Sequence, residues 1–166
     1  MIPEKPMMDR YRWLGLAIGV ALADQGAKHW IAGTFPLGAG ETVLPFFNLV
    51  HILNSGAAFS FLANAGGWQR YVFIALALVV SVGLTIILLK GVANRWEGWG
   101  YSLLLGGAVG NLVDRLVQGA VVDYLDFHAG GWHWPAFNLA DTALCLSAFI
   151  LLLGTLLSSA QSKAPT

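Results

Sequence analysis

Apolar residues fall into four long runs, separated by two stretches where polar and apolar residues alternate or give way to Gly, Pro and Asn. The runs cover residues 13–33, 68–89, 98–117 and 135–157, each close to the roughly 20 residues that a helix needs to cross a bilayer core. Residues 71–89 carry no charge at all, and the third and fourth runs carry charge only toward one end. The stretch 34–67 contains an alternating segment, 41–53, closed by the turn-like Asn54-Ser55-Gly56, and predicts short strands on the membrane surface. The stretch 118–134 is expected to be a short extramembrane loop or helix acting as a lid, with Gly130-Gly131 supplying flexibility. The polar tail 158–166 is expected to fray.

Basic residues orient the runs, because cytoplasmic flanks carry the excess of Lys and Arg. If the runs alternate across a membrane, Lys5, Arg10, Arg12, Lys90, Arg95 and Lys163 share one side, against Arg70 and Arg115 on the other. Both termini are therefore expected to be cytoplasmic, with 34–67 and 118–134 outside. Tryptophans agree: Trp13, Trp30, Trp68, Trp96, Trp99, Trp132 and Trp134 sit near run ends, where amphipathic rings settle. A cleavable signal peptide is the rival reading of the first run, but Asp24 and Lys28 break its apolar core.

Composition sharpens this picture. The chain has 166 residues, 57% hydrophobic and only 11% charged, against about a quarter charged in an average globular protein. Its mean hydropathy is +0.66. Nine Lys and Arg against nine Asp and Glu leave no basic excess for phosphates, which excludes a nucleic-acid partner. The length suits one domain, residues 1–166. Cys145, the single cysteine, reads as a small packing residue within an apolar run.

Ionisable groups inside membrane spans are costly, so each is a functional candidate. Asp24 and Lys28, four apart on one helix, read either as a structural ion pair or as chemical groups. Gly106 and Gly110 make a small-residue face for helix packing. Asn111, Asp114 and Arg115 share a face at the outer end of the third run, where Arg115 either binds substrate or clamps Asp114. Asn138 and Asp141 resemble a helix cap with an acid in the first turn, a structural reading that competes with catalysis. Asp123 is close enough in sequence to meet Asp141. Two adjacent carboxylates cannot both ionise and so share a proton, which is the aspartic-protease arrangement. His128, His133, Asp123, Asp126 and Asp141 lack a metal-ligand spacing, and Cys145 and the serines lack an activating context, so neither metal nor covalent catalysis is expected.

Taken together, five blocks resemble bacterial lipoprotein signal peptidase (signal peptidase II) over nearly the whole chain. They are Asp24-Gln25 with Lys28; Asn54-Ser55-Gly56-Ala57-Ala58-Phe59-Ser60; Gly106 through Asn111 to Asp114-Arg115; Val121-Val122-Asp123-Tyr124; and Phe137-Asn138-Leu139-Ala140-Asp141. The resemblance implies a polytopic membrane protein that is all-α apart from a small extracytoplasmic β-strand cradle, with four transmembrane helices and a short periplasmic loop or helix. It implies an aspartic endopeptidase that removes the signal peptide from diacylglyceryl-modified prolipoproteins, cutting just before the lipidated cysteine. Asp123 and Asp141 would form its dyad, with Asp24, Lys28, Asn54, Gly56, Asn111, Asp114, Arg115, Asn138 and Ala140 around them. Asp126 falls outside the matching block and reads as a loop acid.

The implied protein needs no cofactor or metal. It works as a monomer in the bacterial cytoplasmic (inner) membrane, its site near the periplasmic face, with membrane lipid as its other partner. The competing readings are a small proton-coupled transporter or channel, since intramembrane acids also build proton relays, and a non-catalytic membrane scaffold. No internal repeat of the transporter kind is evident.

Overall fold

Residues 7–56 and 66–162 are described in a computed structural model. Lys5, Lys163 and positions 57–60 of the second block lie outside the described residues. Four helices carry the apolar runs: α1 (Met7–Thr34), α2 (Gln69–Lys90), α3 (Arg95–Val117) and α4 (Leu139–Ser162). Between them lie β1 (Gly40–Leu44), β2 (Phe47–Asn54), β3 (Val121–Ala129) and β4 (Trp132–His133), which form one antiparallel sheet in the order β1-β2-β3-β4. The fold is mostly helical with a small sheet.

The ends of α2 and α3 lie within three residues of the sequence reading, while α1 begins six residues earlier and α4 is shifted by four to five residues toward the C-terminus. α3 starts at Arg95 because the Asn94 side chain accepts the N–H groups of Trp96 and Glu97. α4 starts only after Asn138, because Phe137 is extended and exchanges backbone hydrogen bonds with Leu125. α2 stops at Gly91, whose φ of 93° suits glycine.

The α2 segment Gln69–Lys90 and the α4 segment Leu139–Ser159 are long and apolar enough to cross a membrane. Their outer faces expose large apolar side chains, among them Val79 and Val82 on α2 and Phe149 and Leu152 on α4, as a surface facing lipid rather than water would. α3 packs against all three other helices. Its glycines allow the close approach: a Cβ on Gly106 would lie 2.7 Å from the Ala17 carbonyl oxygen of α1, and one on Gly107 would lie 2.6 Å from that of Ala140 in α4.

The structure corrects the stretch 118–134. It is neither helix nor loop over most of its length: residues 121–127 pair with β2, residues 128–129 pair with β4, and Val121–Tyr124 are buried. Gly130 and Gly131 (φ 58° and 83°) form the tight two-residue turn into β4, a role glycine fills because both residues need positive φ. Asp126 is likewise not a loop acid. It lies on β3, largely covered, and binds Asn48 and His133. Cys145 is exposed on α4 and is not a packing residue.

Candidate active site

Asp123 and Asp141 reach the site from a strand and a helix. Period-two alternation along β3 puts Asp123 on the face opposite Asp126. Asp126 pairs across the sheet with Asn48, whose amide donates to it at 2.8 Å. A bulge in β2 between Leu49 and Ile52 then reverses the side-chain alternation. Asn54, six residues from Asn48 and destined for the same face in a regular strand, turns instead to the Asp123 side and donates to Asp123 Oδ2 at 3.0 Å.

Asn138 precedes α4 and is fully buried. Its Oδ1 accepts the Asp141 backbone N–H at 2.8 Å, as a helix cap should, and its Nδ2 donates to Asp123 Oδ1 at 2.6 Å. The Asp141 carboxylate turns away from the cap and accepts from Asn111 Nδ2 at 2.8 Å. Capping therefore explains Asn138 but leaves the Asp141 side chain for the site.

Behind these groups lies a buried charge network. Lys28 Nζ contacts Asp24 Oδ2 at 2.7 Å, Asp114 Oδ2 at 3.0 Å and Asn111 Oδ1 at 2.9 Å. Asp24 Oδ1 accepts the Ala140 N–H at 2.8 Å, tying α1 to the start of α4. Asp114 accepts from Gln25 of α1 and from the Val122 N–H, tying α3 to α1 and β3. Arg115 does not clamp Asp114: its guanidinium donates to the Gly56 carbonyl at 2.8 Å and to the Asn111 carbonyl at 3.3 Å, and lies over the Phe73 ring. Gly56 is held in turn, because its N–H donates to Asn54 Oδ1 at 2.9 Å.

Asp123, Asp141, Asn54, Asn111 and Arg115 line one cavity of about 260 Å³ with the apolar side chains of Phe73, Leu76, Val80 and Leu104. Burial, and then the Asp141 charge, push the Asp123 carboxyl up to about 7, against the hydrogen bonds from Asn54 and Asn138. On the same strand burial also pushes the Tyr124 phenol up to about 12. Asp126 is held below the ordinary carboxylate range, because hydrogen bonds from Asn48 and His133 outweigh its burial.

The family model described as Signal peptidase (SPase) II matches residues 16–157. The chain belongs to the signal peptidase II family. It is 44% identical to a lipoprotein signal peptidase of Yersinia enterocolitica over 92% of this chain and 91% of the relative. It is 50% identical to one from Vibrio vulnificus over 86% of each chain. Two solved structures, each described as a bacterial membrane enzyme, share the fold. One superposes with a TM-score of 0.81 at 29% identity over 93% of each chain, the other with 0.74 at 30% over 87% of this chain and 92% of the other.

Family membership makes the chain a peptidase and sets aside the transporter and scaffold readings. The nine supporting residues expected from the signal peptidase II blocks all fall in one connected network with Asp123 and Asp141. One contributor to this network, and one partner of Asp126 on the opposite face of β3, escaped the sequence reading. Gln25 was visible only as a neighbour of Asp24, although it bridges the Gly110 carbonyl and Asp114. Asn48, partner of Asp126, had no signal short of the strand register itself.

Proposed function

We propose that the protein removes the signal peptide from diacylglyceryl-modified prolipoproteins, cutting just before the lipidated cysteine, with Asp123 and Asp141 as the catalytic pair. The observation that carries this reading is that the two carboxylates, from different elements, line the same cavity, each steered by asparagine amides rather than neutralised by a cation of its own. Two carboxylates so placed, the Asp123 carboxyl buried and standing at about 7 beside the Asp141 charge, share one proton. The ionised partner takes a proton from water, whose oxygen attacks the scissile carbonyl carbon while the protonated partner hydrogen-bonds the carbonyl oxygen. Collapse of the tetrahedral species breaks the C–N bond as a carboxyl proton passes to the leaving amine. Asn54, Asn111 and Asn138 orient the carboxylates, and Arg115, bonded to the turn at Gly56, places a cation beside the substrate path.

The chain acts as one monomeric domain, residues 1–166, with four spans at about 13–33, 68–89, 98–117 and 135–157. Pairing among Asp24, Lys28, Asp114 and Gln25 supports counting α1 and α3 as spans, because it lowers the cost of their ionisable groups. The protein resides in the bacterial inner membrane, both termini cytoplasmic and the site near the periplasmic face, surrounded by lipid through which the substrate arrives laterally.

The test is cleavage of a purified diacylglyceryl-modified prolipoprotein with chelator present. Wild type is expected to cleave, Asp123→Asn and Asp141→Asn to lose at least about 10³-fold in rate while staying folded, and Asp126→Asn to keep near-normal turnover. Loss of wild-type activity to chelator, or near-normal turnover in either dyad variant, would overturn the assignment.

A further inference from the structure

A cavity of about 630 Å³ lies between the start of α3 and the end of α4, which meet where Gly154 packs against Trp96. That volume falls in the roughly 300–1,000 Å³ range of ligand pockets. Along α3, Glu97 in its wall is 18 residues from Arg115, roughly 27 Å at 1.5 Å per residue and close to the roughly 30 Å of a bilayer core. Given the four spans proposed above, this cavity opens at the membrane face opposite the two carboxylates. We infer that it binds a phospholipid whose headgroup ends in a primary ammonium.

The α4 side of the wall can accept hydrogen bonds but has none to give. The Thr155, Ser158 and Ser159 hydroxyls each donate their one hydrogen to a carbonyl of their own helix, at 2.9, 2.8 and 2.9 Å, which leaves oxygen lone pairs for a ligand. On the α3 side Glu97 is the one charged side chain in the wall. Its Oε2 accepts the Ala93 N–H at 2.7 Å, and among the described residues Oε1 is met only by the Asn94 amide, at the long distance of 3.5 Å. The last turn of α4 carries no basic residue, so the negative end of its dipole is uncompensated there. A primary ammonium, with three N–H donors and a positive charge, answers the hydroxyl oxygens, the carboxylate and the helix end together.

The surroundings point to a lipid as the bearer of that ammonium. Thr155 and Ser159 share the exposed face of α4 with Leu152 and Leu156, at the end of the membrane-crossing segment Leu139–Ser159. Acyl chains can lie along those leucines while the headgroup turns into the cavity. Trp96 and Tyr101 in the wall are amphipathic rings of the kind that settle at a membrane boundary. The Arg95 guanidinium, 5.2 Å over the Trp96 ring, is placed to meet the phosphate.

In the test, delipidated full-length protein in detergent micelles is offered equimolar dioleoyl phosphatidylethanolamine, phosphatidylcholine and phosphatidylglycerol, and the first lipid bound is identified by native mass spectrometry. Phosphatidylcholine keeps the positive charge without an N–H, and phosphatidylglycerol has hydroxyl donors without a cation. Wild type is expected to take phosphatidylethanolamine at least about fivefold over either of the others, and Glu97→Gln to bring that preference below about twofold. The glutamine carbonyl can still accept the Ala93 N–H, so the start of α3 survives the change. Thr155→Val combined with Ser158→Ala, which removes two acceptors from an exposed helix face, should also bring the preference below about twofold. Uptake of phosphatidylcholine or phosphatidylglycerol by wild type equal to that of phosphatidylethanolamine would overturn the site, and so would the full preference in either folded variant. Phosphoethanolamine, the soluble headgroup, is offered alone at the same concentration and is expected to bind at least about tenfold less. Equal occupancy would make the ligand a free amine and overturn the lipid assignment.

Discussion

Asp123 is a buried acid whose surroundings resist its ionisation, and that has a sign in both stability and rate. Its carboxyl stands at about 7 in the folded chain against 3.8 for the free group. Between those values the native state holds a proton that the unfolded chain has lost, so stability should fall as pH rises from about 4 to about 7 and then level off. Asp123→Asn removes the titration and should flatten that decline, as read from unfolding midpoints across the range. Cleavage should weaken as pH rises through about 7, because the pair then loses the proton it must donate; a rate still rising past pH 9 would contradict a shared proton. Asp126, three residues along the same strand, has the opposite sign: its partners favour the charged form, so its contribution is present above the ordinary carboxylate range and lost as pH falls through the lowered value. Local pattern supplied both acids, and only the resemblance to the signal peptidase II blocks set Asp123 ahead of Asp126; the physical ground lies in the sheet, because a strand sends residues three apart to opposite faces.

At the scale of elements, α3 is the hub, and it is built for contact rather than bulk. Gly107 meets the Ala140 carbonyl and the Leu144 side chain of α4, where an added methyl would sit 2.6 Å from the carbonyl oxygen. Gly107→Ala should therefore push α3 away from the first turn of α4, which carries Asp141. The expected cost is about 1–3 kcal/mol of stability with a disproportionate loss of cleavage, measurable as a lower melting temperature and a lower kcat. Gly83→Ala in α2, where nothing lies within 4 Å, should be neutral or stabilising by up to about 1 kcal/mol and leave cleavage intact. The helices were legible because their apolar runs are long. β3 was not assigned as a strand, although Val121-Val122-Asp123-Tyr124-Leu125 is rich in β-branched and aromatic residues. A short apolar run reads equally as strand or membrane-surface segment until its pairing partner is known, and that partner, β2, lies about 70 residues back along the chain.

For the whole molecule, the proposed alternation of four spans carries its own test. It would place the Asn54 turn, the outer end of α3, β3 and the start of α4 at one membrane face, and the chain ends at the other. Reporter fusions at residue 166 and in the turn near residue 92 should read out as cytoplasmic, and fusions in the segments near residues 38 and 130 as exported. Any one of these on the wrong side would break the four-span count. The sequence by itself determined the membrane setting, the approximate helix positions, the i,i+4 pair of Asp24 and Lys28 and the set of candidate acids, since each follows from apolar run length, local spacing or residue chemistry. Only the tertiary structure decided that β3 completes the sheet, that the β2 bulge turns Asn54 toward Asp123, and that Asn138 both caps α4 and holds Asp123. Those outcomes depend on strand register and on groups from distant segments converging, and no local pattern encodes them.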